Sequence, residues 1–125
     1  MSFSHQKQQY NTKILYLYIK LNYLLYIMDD LIFIQNVKDH SKGMGLSLDR
    51  AITYYINDLV ADPKITTEYL IKVLEKYPDA RFNGHAIDAL CRNKQYEVIE
   101  IIKKQNRFQM GGEWAYNEVY LKRQT

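Results

Sequence analysis

A small all-α domain, either a helical repeat or a helix bundle of about five or six helices, is the fold this sequence predicts. Three observations point to it. Apolar residues recur at spacings of three and four through most of the 125 residues. Ser, Thr, Pro and Gly interrupt those runs at helix-length intervals. Similar phrases also return 29 residues apart, in the manner of stacked helix pairs.

Residues 1–13, MSFSHQKQQYNTK, are polar and read as a frayed end. Residues 14–27, ILYLYIKLNYLLYI, are apolar apart from Lys20 and Asn22. Lys20, Asn22, Asp29 and Asp30 all fall within the roughly twenty residues a membrane span needs, which argues against one. No small-residue cleavage site follows the run, so it does not read as a secretory signal either. It reads as a core or interface helix with Ile14, Tyr18, Leu21, Leu25 and Met28 along one stripe. An apolar surface of this size favours self-association through residues 14–27. Met28 opens a conventional-looking start, MDDLIFIQ, so the organisation expected is an N-terminal extension over 1–27 and one helical domain over 28–125.

From Gln35 to Ser47 the chain is polar and carries Gly43 and Gly45, which predicts a loop. Ser47 can cap a helix whose apolar positions are Leu48, Ala51, Ile52, Tyr55, Ile56, Leu59 and Val60, the cleanest amphipathic series in the chain. Asp62-Pro63 ends it. Thr66 or Thr67 caps the next helix, with Glu68 in its first turn and Tyr69, Leu70, Val73, Leu74 and Tyr77 as its buried stripe. Pro78 stops that helix. Past Gly111-Gly112, Trp114 to Lys122 is a final helix burying Ala115, Tyr116, Val119 and Tyr120.

Between these lies the phrase AIDALCRNKQYEVIEIIKK, Ala86 to Lys104. Ala86, Ile87, Leu90 and Cys91 form one apolar face, four polar residues intervene, and Tyr96, Val98, Ile99 and Ile102 restart the pattern. Glu100 and Lys104 stand four apart in the favourable order. Two short helices cannot cover their own apolar faces, so neighbours must. The neighbours show as repeats at an offset of 29: Glu68-Tyr69-Leu70 against Glu97-Val98-Ile99, and His85-Ala86-Ile87 against Trp114-Ala115-Tyr116.

Cys91-Arg92-Asn93 followed by Glu97-Val98-Ile99-Glu100-Ile101-Ile102 resembles the inner turn and second helix of an ankyrin repeat, ungapped over Ala86 to Gln105. The chain departs from the family in three places. The Thr-Pro-Leu-His opening is His85-Ala86-Ile87-Asp88, the turn glycine is Lys94, and the period falls short of about 33. Ile87 to Cys91 also resembles the first helix of a pentatricopeptide repeat, and an unrelated helical bundle accommodates the same pattern. The ankyrin resemblance implies protein–protein recognition by exposed turns and inner helix faces. That places Asn83, His85, Asp88, Arg92, Lys94 and Gln95 at the candidate surface.

Composition bounds the rest. The apolar content of 47% and charged content of 25% are those of a globular protein. One cysteine excludes an internal disulfide framework and suits a reducing, intracellular and cytoplasmic setting. His5, His40 and His85 are scattered, and six residues separate His85 from Cys91, the wrong spacing for a nucleophile and base or for paired metal ligands. Lys42-Gly43-Met44-Gly45 lacks the Gly-Lys-Ser/Thr ending of a phosphate loop. No enzyme, metal or cofactor is therefore expected. The alternative function is nucleic-acid association. Net charge is +3, and from Arg81 onward eight cations face five acids, with Lys103, Lys104 and Arg107 beside Phe108 as the residues that would meet phosphate.

Overall fold

The computed structural model describes residues 3–124, and the side chains of 11–24 and 28–124. The chain is all-α, and no strand or sheet occurs among the described residues beyond one isolated bridge. It divides into two units, Met1–Asp39 and His40–Thr125.

The first unit is a single helix, α1, spanning Phe3–His40 and so ending one residue into the second unit. It begins within the polar stretch expected to fray and runs without a break through the boundary expected at 27/28. It also runs past Gln35, where a loop was expected. Polar residues do not end a helix by themselves, and Gln35 Nε2 donates to Asp39 Oδ1 at 3.0 Å across one turn. The break comes at Gly43 and Gly45, whose φ values of +81° and +70° suit glycine. Of the expected stripe, Ile14, Tyr18, Leu21 and Met28 are exposed, while the side chain of Leu25 lies outside the described residues. No helix among the described residues is long and apolar enough to cross a membrane.

The second unit stacks helix pairs. Helix α2, Leu48–Leu59, is capped by Ser47 Oγ, which accepts from the Arg50 amide at 3.4 Å. Helix α3, Thr67–Lys76, is capped by Thr66 rather than Thr67. Helix α4, Gly84–Arg92, is capped by Asn83, whose Oδ1 accepts from the Ala86 amide at 2.9 Å. Helix α5 spans Tyr96–Lys104. The last helix starts as α6, Gly112–Ala115, widens into a π turn over Tyr116–Tyr120, and closes as α7, Leu121–Gln124. The sequence pattern held no sign of the π turn.

Helices α2, α4 and α6 form one layer in which α4 contacts both others, and α3 packs on α5 in a second. Buried positions recur at the offset of 29. Ala86, Ile87 and Cys91 of α4 are buried, as are Ala115, Tyr116 and Tyr120 in the last helix. Leu70 and Val73 of α3 answer Ile99 and Ile102 of α5, all buried. Tyr69 is 42% exposed where Val98 is fully buried, and Leu48 is 50% exposed, so the apolar stripes are narrower than their sequence suggests.

Helices α4 and α5 both end in the same left-handed turn. Lys94 has φ +58° and the Gln95 amide donates back to the Leu90 carbonyl at 2.9 Å. Asn106 has φ +52° and the Arg107 amide donates to the Ile102 carbonyl at 3.0 Å. Each is a six-to-one helix stop. The loops that follow α3 and α5 then run parallel: the Phe82 amide donates to the Arg107 carbonyl and the Gln109 amide to the Phe82 carbonyl. Gly112 is needed where they meet, because a Cβ there would strike the Phe82 carbonyl oxygen.

Candidate recognition surface

Three polar side chains that could have served a partner instead hold the helix layers together. Asn57 is buried on α2, its amide donating to the carbonyls of Thr53 (2.7 Å) and Arg81 (2.8 Å) and accepting from the Asn83 amide (2.9 Å). Gln95 donates to the Ile65 carbonyl at 3.1 Å and accepts from Thr67 Oγ1 at 2.6 Å, tying the α4–α5 turn to the start of α3. Arg107 is 4% exposed. Its guanidinium donates to the carbonyls of Ala80 (2.8 Å), Leu74 (3.0 Å) and Tyr77 (2.6 Å) and to Gln105 Oε1 (3.0 Å), and it lies 5.5 Å from the Phe82 ring centroid. Burial lowers its pKa, and the carbonyl ring supplies the partial negative charge that an isolated buried cation would lack.

This arrangement corrects two sets of expected site residues. Asn83 and Gln95 were assigned to the binding surface, but their side chains cap α4 and clamp α3. Arg107 was grouped with Lys103 and Lys104 as a phosphate contact, and it faces inward. Lys103 is exposed, with Nζ 5.1 Å from the Tyr116 ring centroid and 6.0 Å from that of Phe108, and Lys104 is exposed. The sequence could have warned of Arg107, because it follows a helix stop and precedes Phe108, where the chain turns back onto the loop after α3.

The remaining four expected residues stay at the surface. His85, Asp88 and Arg92 stand at i, i+3 and i+7 on α4, and Arg92 Nη1 pairs with Asp88 Oδ2 at 3.1 Å. Lys94 projects from the turn beyond. The equivalent positions 29 residues on are Trp114, Asn117 and Leu121, all exposed, on the helix that packs against α4. Trp114 is 66% exposed and Met110, in the loop before it, 89%. The exposure of Trp114 was legible in the offset, since it aligns with His85 and not with a core residue.

A second feature is an open groove of about 640 Å³ beside α2, lined among others by Asp49, Arg50, Thr53, Asn57, Lys76 and Asp79. Its lining mixes both charges and does not select for either sign. Beneath the last helix, burial and then Glu100 raise the pKa of Tyr116, whose hydroxyl donates to Glu100 Oε1 at 3.4 Å. Burial and then Glu100 raise that of Tyr120 as well. The two rings stack at 5.2 Å. Cys91 is buried, with Arg123 Nη1 3.5 Å from its sulfur. Comparison with family models, curated proteins and solved structures yields no match to this chain.

Proposed function

We propose that this chain is a protein-recognition module of αα-hairpin type, binding a protein partner across α4 and the last helix. The observation that carries this is one exposed tryptophan, Trp114, set on a helix that packs beside the His85–Asp88–Arg92 stripe. Tryptophan and arginine are among the residues most enriched at the energetic centres of protein interfaces. The stapling of the layers by Asn57, Gln95 and Arg107 supports it, because a pre-ordered surface loses little conformational freedom on binding. Ankyrin-like pairing is the family reading of the same layers, supported by the left-handed residue at Lys94 where that repeat carries glycine.

Affinity capture from native cells, with and without nuclease, tests it. The expected result is a defined protein, retained after nuclease treatment, recovered by the unaltered chain and lost when Trp114→Ala is combined with Arg92→Ala and Lys94→Ala. Both helical signal and thermal midpoint should hold in that variant, since all three side chains are exposed. Recovery of nucleic acid, or of proteins that nuclease removes, would transfer the function to Lys103 and Lys104. Capture unchanged by the triple substitution would remove the surface from consideration.

A further inference from the structure

Helix α1 carries a pattern that the all-round apolar character of residues 14–28 conceals. Ile14, Leu17, Leu21, Leu24, Met28 and Leu31 follow the alternating three-four spacing of heptad a and d positions. All six are aliphatic or Met, and all are between 47% and 65% exposed. From Ile14 to Leu31, every tyrosine avoids the seam. Tyr16 and Tyr23 fall at c, Tyr18 at e and Tyr26 at f, while Asn22 and Asp29 take b and Asp30 takes c. The helix therefore has an exposed stripe of leucine, isoleucine and methionine and an opposite side where Tyr16, Tyr23, Asn22 and Asp29 meet water, with Leu15 and Ile19 the aliphatic exceptions there.

A bilayer does not suit this stripe. The apolar run from Ile14 to Met28 is about 22 Å long at 1.5 Å per residue, against a hydrocarbon core of about 30 Å. Lys20 interrupts the run and Asp29-Asp30 closes it. A helix lying in the membrane interface requires a basic polar face, whereas the outer positions here hold tyrosine and aspartate.

We propose that the occupant of this seam is the seam of a second copy, packed antiparallel. The spacing of the seam fits a second copy of itself, and the charges select its direction. The six seam positions are symmetric about their centre, so an antiparallel copy sets Ile14 against Leu31, Leu17 against Met28 and Leu21 against Leu24, each an a position facing a d position. The charges are also complementary in that direction alone. Lys13 and Lys20 lie at g in the first half of the helix, and Asp29 and Asp30 in the second. An antiparallel pair sets the lysine-bearing half of one copy against the aspartate-bearing half of the other, twice by symmetry, whereas a parallel pair sets like half against like half and its g lysines against Tyr18 and Leu25 at e, with no acid opposite. The contact runs for about 27 Å, the rise of eighteen helical residues. The seam would join two recognition surfaces in one assembly, although the inference does not depend on that function.

Sedimentation equilibrium of the full chain across a concentration range tests association. The unaltered chain is expected to reach a dimer. Leu17→Asp with Leu24→Asp should weaken association on the order of a hundredfold or more, since each buried leucine contributes about 1.5–3 kcal/mol and each 1.4 kcal/mol is tenfold. The thermal midpoint of the His40–Thr125 unit serves as a control and should not move. Direction is read by disulfide formation under mild oxidation, with Cys91, the native cysteine, buried. Antiparallel packing links Ile14→Cys chains to Leu31→Cys chains and leaves each variant unlinked by itself. Cross-linking of each variant with itself would overturn the direction. A monomer at every concentration, or a monomer that floats with phosphatidylcholine vesicles, would overturn the proposal.

Discussion

Replacing Arg107 with alanine strands the carbonyls of Leu74 and Ala80 at the end of α3 and leaves that of Tyr77 with the Ala80 amide alone. Unpaired buried acceptors cost about 1–3 kcal/mol each where water cannot reach them, so the unfolding free energy of Arg107→Ala, measured by urea titration, should fall by about 2 kcal/mol or more. Lys104→Ala, an exposed helix-end cation, should stay within about 0.5 kcal/mol. Equal effects at the two positions would contradict the inward role of Arg107. The phenols of Tyr116 and Tyr120 give a pH signature at the same scale. Both titrate later in the folded chain than in the unfolded one, because burial first and Glu100 second disfavour the phenolate. Their contribution is whole below the ordinary tyrosine value of 10 and is lost as pH rises through the folded values. Tyr120→Phe should therefore flatten the loss of stability above pH 10, measured as urea midpoints on either side of that value.

At the scale of elements, two helix stops invite a graded comparison. Lys94 and Asn106 both occupy left-handed backbone, which costs an ordinary side chain about 1 kcal/mol and asparagine less. Lys94→Gly should raise the thermal midpoint, by about 0.5–1 kcal/mol of stability, and Asn106→Gly by less. The reverse order would mean that side-chain contacts, not backbone, set these turns. The turns also explain what the sequence disclosed. Helices α2 and α3 were legible because Ser47 and Thr66 are local caps, and α4 and α5 because their apolar spacing is broken by four polar residues, Arg92 to Gln95. The continuation of α1 past Gln35 was not, because Asn36, Asp39 and His40 resemble a loop by composition and differ from one only in the spacing that lets Gln35 reach Asp39. The site divides in the same way. Exposure of His85, Asp88 and Arg92 follows from helical period. The inward turn of Gln95 and Arg107 depends on carbonyls 27 to 33 residues away in the chain, and no local pattern records where those will lie.

The whole molecule joins two units with different sources of order. In His40–Thr125, buried aliphatics such as Ile56, Leu70, Ile87, Leu90, Ile99 and Ile102 give the helices a common core. Residues 11–24 of α1 are exposed throughout, and helix propensity alone supports an isolated helix only marginally. Amide hydrogen exchange should separate the two. Amides of α4 and α5 should exchange through global opening of their unit, with the same protection in dilute and concentrated protein. Amides between Ile14 and Leu31 gain their packing from a second copy, so their protection should rise with concentration by mass action. Leu17→Asp with Leu24→Asp should abolish that rise and leave α4 and α5 untouched. If protection in α1 were independent of concentration, the seam would have no partner copy. If α4 and α5 also became more protected on concentration, the copies would be meeting through the second unit, and the aliphatic seam would not be the surface that joins them.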